Sequence, residues 1–419
     1  MIALTATTLF TPLERIEQPL LLMDGARFVE VTSRVSREAP GNCRLVDFGD
    51  AVLAPGFIDM HIHGAAGRDV MEAAPDALPA IEQLLARHGV AGYFPTTVTA
   101  SMDATLAALD RLAVAIDAAM TEPGNGLRAR PLGIHLEGPF ISHARRGVHP
   151  AGHLLPPTIT AFERLWQAAR GHIRVMTIAP ELDGAMEIIA AAARRGVLVS
   201  LGHSDADRDT TRAAIAAGAR HATHTFNAMR PLRHRDPGIV GEVLTNPQLT
   251  ADIIADGIHV DPIVTRLFVQ SKGLDSAVLI SDATAATGMP DGRYRLGSLE
   301  IEMKDGKCVA DGKLAGSVLT MDTAVRNIVS FTQASLQDAL RLATVNPARV
   351  TGLHGRGRIE PGAVADLFPG GDHRLDGSLV EPFRRRAAGR ARPEVQGVEN
   401  GWIYPRHSVL LCCGVFRFY

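Results

Sequence analysis

The pattern of apolar and polar positions changes near residue 54. Before that point the chain has short apolar stretches, such as 19–23 and 28–31, separated by Asp-Gly or Pro-Gly turns, which is typical of β-strands. After it, short β-branched stretches alternate with longer Ala- and Leu-rich ones, which predicts strands and helices in turn. Helices are predicted at 77–88, 103–119, 184–195, 210–217, 322–335 and 336–344.

Eight of the short apolar stretches are candidates for the strands of a parallel barrel. Repeated strand–helix alternation favours an α/β fold, a (β/α)₈ TIM-like barrel, over residues 54–350. An open doubly wound sheet is the alternative, weakened because no GxGxxG motif follows the first strand. The predicted strands are 56–63, 92–99, 131–137, 174–179, 198–203, 222–226, 250–256 and 277–282.

Both chain ends are expected to build a small β-sandwich domain, from residues 1–53 and 351–419. The segment up to Asp366 and Leu367 suits a return to that domain. The Pro- and Gly-rich residues 368–371 and the Arg-rich residues 384–390 follow, where an apolar closing strand is expected. The apolar stretch 408–416 does not restore the pattern, and a shifted reading frame or a divergent terminus would each explain this tail.

Composition narrows the class of protein. The chain has 419 residues with a net charge of −2, so no broad positive field indicates nucleic acid or an anionic membrane as partner. No apolar stretch approaches the ~20 residues that span a bilayer, and the N-terminus lacks a signal-peptide pattern. The four cysteines are scattered without a CxxC pair, which favours a reduced, cytoplasmic setting.

Polar residues gather at the ends of the predicted strands, where a barrel of this type has its active-site face. His61 and His63 are two apart on the first strand, so they share a face and can reach one metal ion. Glu137 ends the third strand and can hold one divalent ion or bridge two. His135 lies one layer deeper and is interpreted as a hydrogen-bonded core histidine.

The fifth, sixth and eighth strands add three more candidates. His203 and His224 come from neighbouring strands, so their imidazoles could close on one ion. His221 is interpreted as a residue of the helix–strand boundary that faces the other way. Asp282 is either a helix N-cap or a carboxylate that exchanges protons with water and a leaving amine.

Each of these signals is weak alone, but hydrolysis of an amide needs them together. A divalent ion polarises a carbonyl and lowers the pKa of bound water to ~7. Histidine and carboxylate ligands suit one or two ions, with Zn²⁺ the first choice and Fe²⁺, Mn²⁺ or Co²⁺ as alternatives.

Six motifs together make the sequence similar to a known family. They are HxH at 61–63, HLEGPF at 135–140, LGHS at 201–204, ATHTFNAM at 222–229, ADGIH at 255–259 and SDAT at 281–284. Over about residues 50–366 the chain resembles the N-acetylglucosamine-6-phosphate deacetylases of the amidohydrolase superfamily. The predicted fourth strand carries no lysine that could be carboxylated to bridge two metals, and Glu137 stands on the third strand instead.

The resemblance implies roles for individual residues. Glu137, His203 and His224 match the principal metal ligands, and His61 and His63 match a second metal position. Asp282 matches the catalytic acid and base. Residues implied to contact the substrate are Val148, His149, Asn227, Ala228, Arg235, His259, Leu314, Ala315 and Gly316, of which Arg235 and His259 hold the sugar phosphate.

The resemblance implies an enzyme that hydrolyses the acetyl group of N-acetylglucosamine 6-phosphate in amino-sugar catabolism, and a homodimer. An N-acetylgalactosamine 6-phosphate deacetylase or another amidohydrolase is the alternative within the same class. A sugar-phosphate sensor without turnover is the alternative outside it, and Asp282 argues against that reading.

Overall fold

The computed structural model describes residues 1–121 and 128–370. Ten α-helices are described, and two 3₁₀ turns lie at His143–Arg145 and Ala151–His153. The helices are α1 (Ala77–Arg87), α2 (Met102–Thr121), α3 (Ile159–Ala168), α4 (Ala185–Arg194), α5 (Arg208–Ala217), α6 (Gly238–Thr245), α7 (Pro262–Lys272), α8 (Met321–Thr332), α9 (Leu336–Ala343) and α10 (Val345–Val350).

The described strands are short, and many pair in parallel around an apolar core. They are β1 (Ile2–Thr5), β2 (Thr8–Phe10), β3 (Arg15–Glu17), β4 (Pro19–Asp24), β5 (Arg27–Ser33), β6 (Arg44–Asp47), β7 (Val52–Pro55), β8 (Phe57–Ile62), β9 (Gly64–Ala65), β10 (Arg68–Asp69), β11 (Val90–Pro95), β12 (Arg130–Pro131), β13 (Ile134–Glu137), β14 (Ile173–Ile178), β15 (Leu198–Leu201), β16 (His221–Ala222), β17 (Ala251–Ile254), β18 (Ala277–Ile280), β19 (Gly292–Leu296), β20 (Leu299–Lys304), β21 (Lys307–Ala310), β22 (Lys313–Leu314) and β23 (Leu367–Gly370).

The described part of the chain has an α/β fold, and the predicted strands and helices are present with shifted ends. The third predicted strand is divided into β12 and β13, because Gly133 between them has a φ of 157° that L side chains rarely adopt. The sixth was predicted at 222–226, which is wrong beyond Ala222. β16 ends there, and the chain turns away with a φ of +31° at His224.

Parallel pairing links these strands in three groups, β12-β11-β8, β13-β14-β15-β16 and β17-β18. Single parallel bridges, Thr96 with His135 and Ile62 with Ala283, connect neighbouring groups. The backbone N–H of Ala222 donates to the carbonyl of Thr250 at 3.0 Å, which connects β16 with β17. Buried apolar residues from these strands and from the surrounding helices form one core.

The N-terminal strands and β23 form two sheets, in the orders β5-β4-β1-β6 and β23-β7-β2-β3. Residues of both sheets, among them Leu4, Leu21, Leu53 and Leu367, share one buried apolar cluster. A strand was not expected from the Pro- and Gly-rich residues after Leu367, and this is wrong: Leu367–Gly370 pairs antiparallel with the open edge of β7, and the buried Leu367 joins this cluster. Residues 371–419 lie outside the described part of the chain.

An antiparallel meander, β19-β20-β21-β22, was not predicted and follows the eighth strand of the central fold. Its buried residues, including Leu296, Ile301 and Cys308, form a separate apolar cluster with Val98 and Ala315. After the meander, at Ala315, the chain therefore lies close to the end of β11, beside Val98. None of the described helices is both long and apolar enough to cross a bilayer.

Candidate metal centre

Two candidate ligands and the candidate acid and base lie just after strands, where the backbone bends. His203 follows β15, His224 follows β16 and Asp282 follows β18, with φ angles of +47°, +31° and +50°. Side chains other than glycine seldom occupy this left-handed region, and each such residue costs about 1–3 kcal/mol. The bends turn these side chains towards a common centre. Hydrogen bonds of neighbouring groups must hold the backbone in these unfavourable conformations.

Glu137 is that centre. Its side chain is 2% exposed, and its two oxygens face opposite groups of histidines. Oε1 lies 3.1 Å from His224 Nε2 and 3.3 Å from His203 Nε2. Oε2 lies 3.3 Å from His63 Nε2 and 3.5 Å from His61 Nε2. One carboxylate thus stands between two pairs of imidazoles, as a bridge between two cations would.

Asp282 joins the second pair. Its Oδ1 lies 3.3 Å from His63 Nε2 and 3.5 Å from His61 Nε2, and these two nitrogens are 3.2 Å apart. His61, His63 and Asp282 are buried and offer ligand atoms within 4.8 Å of one another. The structure therefore brings together all six residues predicted to hold metal or move protons.

The ring orientation of two histidines exposes a lone pair to the centre. Nδ1 of His63 donates to the carbonyl of Thr96 at 3.0 Å, and Nδ1 of His203 donates to the carbonyl of Arg145 at 2.9 Å. Since a carbonyl only accepts, Nδ1 carries the hydrogen and Nε2 of the neutral ring is free to bind a cation.

These separations fit a divalent ion. With Zn–N bonds of about 2.0–2.1 Å and tetrahedral angles, two ligand atoms are about 3.4 Å apart. The observed separations of 3.1 Å between His203 and His224 Nε2 and 3.2 Å between His61 and His63 Nε2 are close to that value. Imidazole lone pairs so close repel each other unless a proton or a metal ion lies between them.

The electrostatics of the centre also favour cations. Burial would raise the pKa of Glu137, but the surrounding histidines hold it well below its ordinary value. Burial would lower the pKa of His224, but Glu137 raises it to about 9. Burial likewise opposes the charge on Asp282, and His61 and His63 nevertheless lower its pKa. Two carboxylates thus remain ionised in a buried place, which requires positive charge beside them.

His149 belongs to the centre in a different way. Its Nδ1 accepts the backbone N–H of Thr99 at 3.2 Å, so Nε2 of the neutral ring carries the hydrogen and points at Glu137 Oε2, 3.5 Å away. Burial lowers the pKa of His149 to about 4, which keeps the ring neutral. Although His149, Glu137 and His203 are close enough to hold an ion, His149 is a hydrogen-bond donor here rather than a ligand.

Two loops bring predicted substrate residues beside the centre. Asn227 and Ala228 follow His224 directly, and Ala228 is bonded to the loop of His203 through Ser204 N at 3.0 Å. Gly316 has a φ of +59°, and a Cβ there would lie 2.5 Å from Thr284 Cγ2 and 2.9 Å from the Asp282 carbonyl. Only glycine fits this approach, and it leaves the loop against the backbone of Asp282.

The remaining substrate candidates lie on other segments of the chain. Val148 and the buried Ala315 both pack in the meander cluster, while Leu314 is 37% exposed. Arg235 is exposed, and its neighbour Asp236 pairs instead with Arg230, at 2.7 Å. In the described part of the chain Arg235 forms no ion pair with Asp236.

His259 is held by a loop of its own. Its Nδ1 donates to Asp256 Oδ2 at 2.6 Å, and its backbone N–H donates to the other oxygen at 2.7 Å. The ring is thereby oriented with Nε2 directed away from Asp256, which leaves this nitrogen for another partner.

The interpretation of His135 is confirmed, but that of His221 is incomplete. His135 is buried, with Nδ1 at 3.1 Å from the Met60 carbonyl and Nε2 at 2.8 Å from Thr177 Oγ1. His221 is buried as well, and its Nε2 lies 3.0 Å from Asp252 on β17. Asp252 was missed, although a charged residue inside the apolar stretch 250–256 is a signal, because a buried carboxylate needs a partner.

Comparison with known proteins places this geometry in a family. The model of the amidohydrolase family matches residues 52–370. The N-acetylglucosamine-6-phosphate deacetylase of Lysinibacillus sphaericus is 35% identical over 379 residues, covering 89% of this chain and 94% of the relative. The N-acetylgalactosamine-6-phosphate deacetylase of Escherichia coli O157:H7 is 40% identical over 318 residues, covering 75% and 82%.

A solved structure extends the likeness to three dimensions. An aspartate-to-alanine mutant of the Mycobacterium smegmatis N-acetyl-D-glucosamine-6-phosphate deacetylase, in complex with N-acetyl-D-glucosamine-6-phosphate, is similar with a TM-score of 0.81 and 36% identity. The match covers 88% of this chain and 94% of that one. The family resemblance seen in the motifs is confirmed, and the chain belongs to the amidohydrolase family.

Proposed function

We propose that this protein hydrolyses N-acetylglucosamine 6-phosphate to glucosamine 6-phosphate and acetate, a step of amino-sugar catabolism. The observation that carries the proposal is the buried Glu137 with imidazole pairs on both oxygens and Asp282 beside one pair. Relatives at 35–40% identity over most of the chain carry deacetylase names.

Glu137, His203 and His224 would hold one divalent ion, and His61 and His63 a second beside it. A bound divalent ion polarises the acetyl carbonyl and lowers the pKa of water. Zn²⁺ is proposed first because both imidazole and carboxylate suit it, and Fe²⁺, Mn²⁺ and Co²⁺ suit the same ligands.

The chain's own residues supply the proton transfers. Asp282, kept ionised at neutral pH, takes a proton from the attacking water. His149 donates a hydrogen bond from Nε2 to the carbonyl oxygen as negative charge develops there, and it keeps its proton throughout. Asp282 then gives its proton to the leaving nitrogen, so that one water and one amide become acetate and an amine. Arg235 and His259 would hold the phosphate, since a guanidinium and an imidazole suit a dianion.

The proposed framework is a closed eight-stranded barrel over residues 54–350 with a small β-sandwich built from both chain ends. Support for closure comes from the bridges of Thr96 with His135 and of Ile62 with Ala283, and from the bond between Ala222 and Thr250. Support for the sandwich comes from the apolar cluster shared by its two sheets. A cytoplasmic homodimer, binding neither nucleic acid nor membrane, completes the proposal.

The test is acetate release from N-acetylglucosamine 6-phosphate by protein with a measured metal content. We expect turnover that a chelator abolishes and added Zn²⁺ restores. Binding of the sugar phosphate without acetate release would indicate a sensor and contradict the proposal.

The galactosamine epimer is the second candidate, because the relative of that name is 40% identical. Measuring kcat/KM for both N-acetylated hexosamine 6-phosphates decides between them. A higher value for N-acetylgalactosamine 6-phosphate would correct the proposed substrate while leaving the reaction unchanged.

A further inference from the structure

The four histidines proposed as metal ligands, His61, His63, His203 and His224, are held by two different means. His63 and His203 are anchored through their rings, since Nδ1 of each donates to a backbone carbonyl. His61 and His224 have buried Nδ1 atoms with no hydrogen-bond partner in the described part of the chain. Each of the two pairs of imidazoles thus contains one histidine with an anchored ring and one without.

The histidines without a ring anchor are held through the backbone by a buried carboxylate. The N–H of His224 donates to Asp252 Oδ1, and the N–H of His61 donates to Asp59 Oδ1 at 3.3 Å. Both aspartates are almost completely buried, with exposed fractions of 1% and 0%. A buried aspartate that accepts the backbone N–H of a histidine therefore occurs twice, once in each pair of imidazoles beside Glu137.

The second oxygen of each carboxylate is fixed by a neighbouring side chain. Asp252 Oδ2 accepts from His221 Nε2 at 3.0 Å, and Asp59 Oδ2 accepts from Ser281 Oγ at 2.5 Å. His221 is held in turn by Thr250, whose Oγ1 lies 2.6 Å from Nδ1. A carboxylate bound at both oxygens cannot rotate away from the N–H that it accepts.

The backbone N–H of His224 depends on Asp252 because, unlike the N–H groups of Thr223 and Thr225, it has no carbonyl partner in the described neighbouring strands. β16 ends at Ala222, so the N–H of His224 lies beyond the strand pairing, in a backbone with a φ of +31°. The next N–H, of Thr225, returns to pairing with the Asp252 carbonyl at 3.0 Å. The Asp252 side chain thus accepts the N–H that the bend removes from strand pairing between Thr223 and Thr225.

We infer that Asp252 is a positioning residue that, held by His221, sets the place of His224 for metal binding. The inference rests on the proposed metal centre. Partners that orient a ligand in this way are worth about 10- to 100-fold in metal affinity. We therefore expect removal of the carboxylate to weaken metal binding by that factor while the other ligands stay in place.

Two substitutions of different severity test the inference. Asp252→Ala leaves the His224 N–H without its acceptor, and Asp252→Asn keeps an acceptor oxygen but removes the charge. The matched controls are Glu242→Ala and Glu242→Gln, because Glu242 on α6 is a buried carboxylate bonded to Arg212 and Asn246. Its bonds involve none of the four histidines, so its loss reports only the general cost of removing a buried carboxylate.

The measurements are the Zn²⁺ dissociation constant by competition with a coloured chelator, and the visible spectrum of the Co²⁺-loaded protein. We expect Asp252→Ala to bind about 10- to 100-fold more weakly with an altered cobalt spectrum, Asp252→Asn to lose less, and both Glu242 variants to match the wild type. Far-UV circular dichroism checks the fold. If Asp252→Ala does not fold, the comparison of Asp252→Asn with Glu242→Gln decides.

Two results would overturn the inference: an unchanged affinity and spectrum in the Asp252 variants, or equal losses in the Glu242 variants. A wild-type protein that binds no metal would instead refute the proposed function. The two failures are therefore distinguishable.

Discussion

The centre around Glu137 and the loops predicted to bind the substrate are built in opposite ways. In the centre every side chain is buried, and its atoms lie 3.1–3.5 Å from charged or polar neighbours. Among the predicted substrate residues, Arg235 is exposed and Leu314 is 37% exposed, and both lie outside the strands of the central sheet. A metal needs ligands fixed before it arrives, whereas a substrate can order exposed side chains when it binds.

This difference predicts that substitutions in the centre cause large losses of activity, whereas substitutions in the predicted substrate loops cause smaller ones. The largest effect is expected from Asp282→Asn, which keeps the shape but cannot accept the proton of water. We expect kcat to fall about 10⁴-fold, the upper end for acid–base catalysis, with metal content retained through Glu137, His203 and His224. Acetate release and metal analysis measure both, and normal turnover would remove Asp282 from its role.

In the predicted substrate loops, Arg235→Ala should raise KM about 10- to 100-fold with little change in kcat, because a charge-assisted contact to phosphate is lost. The nearby exposed Arg233→Ala is the control and should change KM by less than about twofold. Equal effects of the two substitutions would mean that the loop contributes only its overall charge. Steady-state kinetics at two salt concentrations separates these cases.

The boundary between the two regions can be tested at Gly316. Gly316→Ala places a Cβ 2.9 Å from the Asp282 carbonyl, whereas at Gly312, with a similar positive φ, a Cβ would meet nothing within 4 Å. Both should destabilise the fold by about 1–3 kcal/mol through the backbone. Only Gly316→Ala should also lower kcat, by about tenfold, because it displaces Asp282. If the two variants keep equal activity, the loop does not position Asp282.

The smallest predicted effect is a change in the free energy of unfolding with pH. The pKa of His149 falls on folding from 6.5 to about 4 because of burial. Between pH 4 and pH 6.5, His149 binds a proton in the unfolded chain but not in the folded one. Its contribution to the free energy of unfolding is therefore complete above pH 6.5 and is lost as the pH falls towards 4. At 1.4 kcal/mol per pKa unit this is about 2 kcal/mol between pH 7 and pH 5.

Urea unfolding of metal-free wild type and His149→Gln measures this loss, since glutamine does not titrate. The variant should lose about 2 kcal/mol less than the wild type over the same interval. An identical pH dependence of the two proteins would show that His149 is not buried as a neutral ring.

The centre was predictable because its residues obey a simple rule, that side chains at the carboxyl ends of parallel strands meet. The rule holds for the five predicted metal ligands, even where the predicted ends of the strands were wrong. These are His61, His63, Glu137, His203 and His224. The rule needs only the order of elements, which apolar periodicity supplies.

What escaped prediction depends on contacts between distant residues. Asp252 lies inside a strand, and nothing in its own sequence neighbourhood reveals that its oxygens meet His221 and the N–H of His224. The same holds for β23, since Pro369 and Gly370 are poor strand formers that pair only because β7 offers an edge. The roles of the substrate residues stay predictions, because loops carry no comparable rule.

The pairing of β23 with β7 also bears on the order in which the chain folds. β7 lies directly before β8, the strand of His61, yet its partner is more than 300 residues away in sequence. During synthesis one edge of β7 stays open until residues 367–370 leave the ribosome. A truncation before Leu367 would leave that edge to other chains, and aggregation of such a fragment would begin beside the first strand of the catalytic fold.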